Sequence, residues 1–235
     1  MSKGQIIVTG ASRGIGDAIA RELDRRGFAV AALSRSGEAA VGRAFVCDMN
    51  DEESIKRVVA DVARQGPIVG LVNNAGAHQA KASAQLSLAE FEQTMRLNAS
   101  AVLVACREAY PHLKASGDAL IVNIGSFFDR MLVAQNVAYS ASKAAVGAIT
   151  RCLAAEWAGD GIRVLDVAPG YIETDLNREF LSREKVKSWL ASRVPVGRAG
   201  TTDEVARLVA VLFAEKIGFL TGETIYIDGG QGASH

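Results

Sequence analysis

Tyr139 and Lys143 stand four residues apart at the head of the helix-like run "VAYSASKAAVGAITRCLAAEWA", a spacing that puts both side chains on one helix face. A phenol is a weak acid at neutral pH. An ammonium beside it favours the phenolate form, so the pair suits proton donation and removal. A second group of residues suits a phosphate. In "VTGASRGIG", Val8 to Gly16, an apolar start runs into a glycine-rich turn and then the helical pattern "DAIARELDRRG". Gly10 permits the tight turn, Gly14 lets a diphosphate approach the backbone at a helix N-terminus, and Gly16 allows helix and sheet to pack closely.

These residues need a scaffold, and the chain's apolar pattern supplies one. Apolar runs recur at 6–8, 28–33, 68–72, 119–124, 162–168 and 224–227. They are continuous rather than alternating, as in strands buried on both faces of a parallel sheet. Between them Ile55, Val58, Val59 and Val62, and again Val205, Leu208, Val209 and Leu212, repeat with helical spacing. Ser87 with Glu90 and Thr201 with Glu204 read as capping boxes that start two helices. No Pro/Gly/Ser-rich linker or internal repeat interrupts the alternation. The expectation is one α/β domain over 1–235, a Rossmann fold with a doubly wound parallel sheet and helices on both faces. Ligands in that architecture bind at the carboxyl ends of the strands.

Composition narrows the partners. Lys+Arg and Asp+Glu both number 26, giving a formal charge of zero, so no overall basic field draws the protein to nucleic acid or an anionic membrane. The N-terminal "MSKGQIIV" leaves no room for a signal peptide's apolar region, and no apolar run approaches the ~18 residues of a membrane span, so a cytoplasmic location is expected. Cys47, Cys106 and Cys152 are far apart and embedded in apolar sequence, which reads as buried, reduced thiols without a disulfide or metal site.

The turn's T-G-x-x-x-G-x-G spacing, followed by "NNAG" (73–76), "NIGS" (123–126), "YSASK" (139–143), "PGYIETD" (169–175) and "TGETIYIDGG" (221–230) in order across almost the whole chain, resembles the short-chain dehydrogenase/reductase family. The resemblance implies phosphate-loop contacts by Ser12, Arg13 and Ile15 beside the glycines, and adenine contacts by Asp48 and Met49. It implies a wall behind adenine and ribose from Asn74, Ala75 and Gly76, "NNAG" being in this family also a stabiliser of the central sheet. Further cofactor contacts come from Pro169, Gly170, Ile172 and Thr174, the last two at the carboxamide. For catalysis it implies Ser126 orienting the substrate oxygen, Tyr139 as acid-base, Lys143 also binding the nicotinamide ribose, and Asn98 holding a water that links the lysine to solvent. The reaction is then hydride transfer between a nicotinamide and a carbonyl carbon, with reduction of a ketone or aldehyde favoured by NADPH.

At the end of the second strand an acidic residue would bind an adenosine 2′-hydroxyl and repel a 2′-phosphate. Ser34 and Arg35 stand there instead, and Arg35 with Arg13 suits a 2′-phosphate, so NADP(H) is expected over NAD(H). Only "SRSGEAAVGR" separates the second and third strands, so the usual helix between them is absent.

The segment 171–200, with one helical pattern from Arg178 to Ala191, matches the family's substrate lid. Phe127, Phe128, Met131, Leu132 and Trp189 either line an apolar pocket or pack on the helix below, and His78 is either a solvated loop residue, as loop histidines more often are, or a residue near the pocket mouth. The expected substrate is a small-molecule carbonyl or alcohol. Two alternatives are a 3-oxoacyl-[acyl-carrier-protein] reductase, and a non-catalytic NADP(H)-binding regulator, against which the intact Ser126, Tyr139 and Lys143 argue. Gly117, Asp118 and Asp160 stand where a carrier-docking surface would be basic. Family members are commonly homotetramers packed through the long helices, here 88–115 and 137–158, where Ala105, Ala109, Ala144 and Ala148 suit close packing on a partner or on the sheet.

Overall fold

The computed structural model describes residues 3–233, so the outer limits of the expected domain lie outside the described residues. The sheet has seven strands in the order β3-β2-β1-β4-β5-β6-β9, all parallel. They are β1 (Lys3–Thr9), β2 (Phe28–Ser34), β3 (Arg43–Val46), β4 (Ile68–Asn73), β5 (Ala119–Ile124), β6 (Ile162–Pro169) and β9 (Thr224–Ile227). Two further strands, β7 (Ile172–Glu173) and β8 (Gly200–Thr201), pair with each other beside the sheet.

Both faces are covered, which is why the strands are apolar throughout. On one face α1 (Gly14–Arg25) packs against α8 (Thr202–Glu215), closing over Ile6, Val8, Ile19, Leu23, Val205 and Val209. On the other lie α2 (Glu52–Ala63), α4 (Ala101–Ser116) and α5 (Val137–Trp157), which enclose Ile55, Val58, Val59, Leu113, Ile121 and Val146. Both expected capping boxes close, at Ser87–Glu90 ahead of α3 (Leu88–Met95) and at Thr201–Glu204 ahead of α8.

The helix expected over 88–115 is one course with an irregularity. Between α3 and α4 the residues Arg96–Ser100 form a π-turn, and Pro111 stands inside α4. No helix joins β2 to β3, as the short connection implied. The segment expected to form a lid is two helices rather than one, α6 (Arg178–Ser182) and α7 (Glu184–Arg193), broken where Arg183 is extended at φ −65° and ψ 132°.

The buried-thiol expectation holds for Cys47 and Cys106 and fails for Cys152, which is exposed. Its apolar neighbours Leu153 and Ala154 turn inward and leave it on the outer side of α5. Ala105 and Ala109 are buried against the chain's own sheet, whereas Ala144 and Ala148 are exposed. Among the described residues no helix is long and apolar enough to cross a membrane.

A row of polar side chains runs across the sheet beneath α5. Parallel register aligns Asn73 with Asn123, Asn123 with Asp166, and Asp166 with Thr224. Asn73 Nδ2 donates to Asn123 Oδ1 at 2.9 Å, Asn123 Nδ2 donates to Thr150 Oγ1 at 2.9 Å, and Thr224 Oγ1 donates to Asp166 Oδ2 at 3.3 Å. Buried polar groups are costly in such a core unless paired, and in this row Asn73 Oδ1 and Asp166 Oδ1 are left without a partner. These bonds tie α5 to β5 and β4 through Thr150, and β6 to β9 separately, below the residues expected to react.

Candidate active site

Strand order reverses between β1 and β4, and their carboxyl-end loops diverge to open a cleft of about 570 Å³. Gly10, Ser12, Arg13, Gly14, Ile15, Ser34, Arg35, Asp48, Met49, Asn74, Ala75, Gly76 and Thr174 line it, as expected of a dinucleotide site. Gly10 and Gly14 have φ of 66° and 59°, which side chains rarely adopt. Arg13, the N-cap of α1, gives the helix no side-chain cap, so first-turn N–H groups face the cleft and suit a diphosphate. A Cβ at Gly14 would meet only Thr174 Cγ2, at 3.8 Å, leaving the turn open to a ligand.

Other expected cofactor residues shape the cleft from behind. A Cβ at Gly16 would overlap Gly10 O and Asn74 Nδ2. Asn74 Nδ2 donates to Thr9 O at 3.0 Å and Gly10 O at 3.2 Å, while Thr9 Oγ1 accepts from the backbone N–H groups of Asn74 and Ala75, each at 3.0 Å. The side chain of Asn74 thus staples the glycine turn to β4. Pro169 ends β6 and is buried, Gly170 packs on the backbone of Asp228, and Ile172 is 7% exposed against Gly200. None of these three lines the cleft. Asp175, which ends the "PGYIETD" motif, does, as do Leu97 and Leu176, to which no motif pointed. Ser34 is buried, its hydroxyl donating to Glu38 O at 3.1 Å, whereas Arg35 and Arg13 are exposed.

The four expected catalytic residues converge beside the cleft. Lys143 is 6% exposed and its Nζ donates to Ile124 O at 2.7 Å, at the end of β5. The same Nζ lies 5.7 Å from the centroid of the Tyr139 ring. Ser126 Oγ accepts from the N–H of Phe128 at 3.3 Å, which leaves its own O–H free to donate into the site. Asn98 sits in the π-turn, 1% exposed. Its Oδ1 accepts from Ala77 N at 2.9 Å, and its Nδ2 donates to Ala77 O at 2.9 Å and Ser142 Oγ at 3.1 Å. One lone pair of Oδ1 remains, and a Cβ at Gly76 would lie 3.1 Å from it and 3.8 Å from Lys143 Nζ. Gly76 therefore keeps open the space between the amide and the ammonium.

Phe128 is the hub of an aromatic wall that joins this site to the lid. Its ring lies 5.7 Å from Tyr139, 6.0 Å from His78 and 6.4 Å from Tyr171, and Tyr171 lies 5.2 Å from Trp189 of α7. Phe127 packs on Tyr171 at 5.0 Å. Leu132, by contrast, is fully exposed and packs on neither pocket nor helix. Beneath Ser126 lies a group the motifs do not include. Asp166 is fully buried with Oδ1 unpartnered. Burial pushes its carboxyl up to about 6, and nearby Asp129 adds to this, while Lys143, the Thr224 hydroxyl and the Gly125 N–H act against it. Tyr226 donates to Asp129 Oδ2 at 2.8 Å. Asp166 was legible after all as a lone carboxylate inside the apolar run "IRVLDVA".

A family model described as Enoyl-(Acyl carrier protein) reductase matches residues 10–231. A tropinone reductase homolog of Arabidopsis thaliana is 34% identical over 95% of this chain and 90% of that protein. The chain belongs to the short-chain dehydrogenase/reductase family. Ligand-free aldohexose dehydrogenase of Thermoplasma acidophilum superposes with a TM-score of 0.91 at 32% identity, covering 98% of this chain and 94% of that one. A Beutenbergia cavernae protein assigned as an NAD(P)-dependent gluconate 5-dehydrogenase, with NADP bound at low occupancy, gives 0.91 at 30% identity over 100% and 98% of the two chains. This short-chain dehydrogenase/reductase is accordingly an oxidoreductase acting on CH–OH and C=O groups.

Proposed function

We propose that this enzyme is an NADP(H)-dependent reductase and dehydrogenase of small-molecule carbonyls and alcohols, with Tyr139 as its acid-base group. The observation that carries the reading is the position of Lys143, buried, anchored on Ile124 O at 2.7 Å and facing the Tyr139 ring. With the ammonium fixed beside it, the Tyr139 hydroxyl is proposed to take the proton of an alcohol and return it to a forming alkoxide. Ser126, its oxygen already held by Phe128 N, donates its O–H to the substrate oxygen and stabilises the charge that develops there. Asn98 and Gly76 keep a water-sized gap beside Lys143, through which the proton exchanges with solvent. The residues of the glycine turn and cleft would hold a nicotinamide cofactor, whose chemistry when bound would be hydride donation or acceptance.

The preference for NADP(H) rests on Arg13 and Arg35 in the cleft lining, with buried Ser34 where an NAD(H)-selective site would have a carboxylate. Two guanidinium groups bind a 2′-phosphate by charge-assisted hydrogen bonds. The homotetramer expected from the family remains part of this reading, with the exposed Ala144 and Ala148 face of α5 as its contact.

The carrier-protein alternative bears on Asp118 and Asp160. Asp118 pairs with Lys216 at 2.7 Å and Arg163 at 3.0 Å, and Asp160 with Lys114 at 2.8 Å. These carboxylates are neutralised locally, so they present neither a basic dock nor the repulsive patch their sequence positions suggested. The testing experiment measures kcat/KM with NADPH and NADH for a panel of free ketones and for a 3-oxoacyl carrier thioester at equal ionic strength. The reading expects free ketones and NADPH to be preferred. A salt-sensitive preference for the thioester selects the carrier reductase instead, and cofactor binding without turnover selects the regulator.

A further inference from the structure

His78 lies in the loop after β4, and its Nε2 is 2.5 Å from Asn136 Oδ1. The orientation of that amide is set on its other side, because Asn136 Nδ2 donates to Ala134 O at 2.7 Å and the residue is 7% exposed. Oδ1 is therefore the atom facing the imidazole, and since a carbonyl oxygen only accepts, Nε2 carries the hydrogen. In this tautomer Nδ1 carries no hydrogen and is an acceptor. Within the described residues nothing donates to it.

The ring's position gives this nitrogen a use. Its centroid is 4.8 Å from that of Tyr139, edge to face, and 6.0 Å from that of Phe128, while the residue itself is exposed. It therefore stands beside the phenol that meets the reacting oxygen. The rest of the wall offers little to a second polar group. Phe128 has no hydrogen-bonding atom and Trp189 only a donor, Ser126 and Tyr139 are taken by the reacting oxygen, and the remaining acceptor is the phenolic oxygen of Tyr171. Of His78 and Tyr171 it is the His78 ring that touches Tyr139, so a substrate hydroxyl next to the reacting carbon meets an acceptor there, and leaving that hydroxyl unpaired is costly.

We infer that His78 is a specificity residue whose Nδ1 accepts a hydrogen bond from a second substrate hydroxyl, so that the enzyme favours vicinal diols and α-hydroxycarbonyl compounds over simple alcohols and ketones. The inference rests on the reading of Tyr139 as the acid-base group, since it is the ring beside Tyr139 that places His78 near the reacting carbon. Apolar C–H faces of such a substrate would lie on Phe128 and Tyr171.

The test compares 1,2-cyclohexanediol with cyclohexanol, which share a ring and differ by the second hydroxyl. With NADP+ or whichever nicotinamide supports turnover, wild type should show about tenfold higher kcat/KM for the diol, the worth of one hydrogen bond. His78→Phe, which keeps an aromatic edge against Tyr139, should abolish that ratio, and His78→Gln, which keeps both an N–H for Asn136 and an acceptor oxygen, should retain part of it. NMR titration of both alcohols into the cofactor-loaded protein reads the same contrast without chemistry. A wild-type ratio near one in kinetics and binding overturns the inference, as does a His78→Phe enzyme that loses both alcohols in equal proportion. If the diol binds more tightly but neither alcohol is turned over, the role of His78 stands and the assignment of Tyr139 falls.

Discussion

The carboxylate of Asp166 fills the space that a side chain at position 125 would need. A Cβ built on Gly125 would overlap Oδ1 and lie 2.6 Å from Oδ2. Gly125 immediately precedes Ser126 and follows Ile124, whose carbonyl anchors Lys143. One buried acid therefore underlies the backbone that carries both the Ser126 hydroxyl, proposed to orient the substrate, and the anchor of the Lys143 ammonium.

Gly125→Ala should destabilise the protein by about 1–3 kcal/mol, the usual cost of overpacking a buried site that cannot relax. Asp166→Ala in the same chain should recover most of the loss, because it vacates the contested volume. Urea denaturation of the two single variants and the double variant forms the cycle. Additive losses would show that the two positions do not compete for space.

The ionisation of Asp166 should be visible in stability. Its carboxyl stands at about 6 in the folded chain against an ordinary 3.8. Between those values the unfolded chain releases the proton while the folded chain keeps it. Wild-type stability should therefore fall as pH rises from about 4 to about 6, by on the order of 3 kcal/mol, and stay lowered above that. Glu22 and Glu204, held down to about 2 by arginines, contribute stability that is lost as pH falls below about 4.5, in the opposite sense. They are common to wild type and Asp166→Asn, so the difference between the two proteins isolates Asp166. A difference that does not change with pH would rule out its titration in this window.

Tyr139→Phe should lower kcat by at least the ~100-fold typical of losing general acid-base catalysis, with the dissociation constant for NADPH changed only a few-fold. The ring contacts to His78 and Phe128 survive the substitution, so packing is preserved. Retained turnover within a few-fold of wild type would assign the proton to another group.

Arg35→Asp places a carboxylate where the proposed 2′-phosphate would lie. It should raise KM for NADPH at least tenfold more than KM for NADH, through both the lost charge-assisted bond and the new repulsion. Steady-state kinetics with the two cofactors decides. Equal effects on both would place the adenosine away from Arg35.

Much of this was legible because it obeys local rules. The sheet could be read from continuous apolar runs, the starts of α3 and α8 from their capping boxes, and the dinucleotide cleft from glycines whose conformations or close contacts admit no side chain. What escaped depends on contacts between distant segments. Nothing in "GAHQA" indicates that His78 will face Asn136, 58 residues away, or that Phe128 will link Tyr139 to the lid. Cys152 was misjudged because its apolar neighbours are consecutive, whereas a helix turns each residue to a different side. The pairing of Asp118 and Asp160 escaped because Lys216, Arg163 and Lys114 reach them only in the folded chain.

The π-turn at Arg96–Ser100 holds one residue more than an α-helical path would need. It lets two consecutive residues face different tasks, Leu97 toward the cofactor cleft and Asn98 toward Ala77 and Ser142. Shortening this segment by one residue would restore a regular α-helical path and remove the wide turn that seats Asn98, whereas losing a residue elsewhere along the course would turn everything after it by about 100°. In that second case Ala105, Ala109 and Leu113, now against the sheet, would swing out of the core. The spacing between the two halves of this long helix is thus under a length constraint, independent of which side chains occupy it. Substitutions along its exposed side are free to accumulate, but insertions or deletions between Leu88 and Ser116 are not.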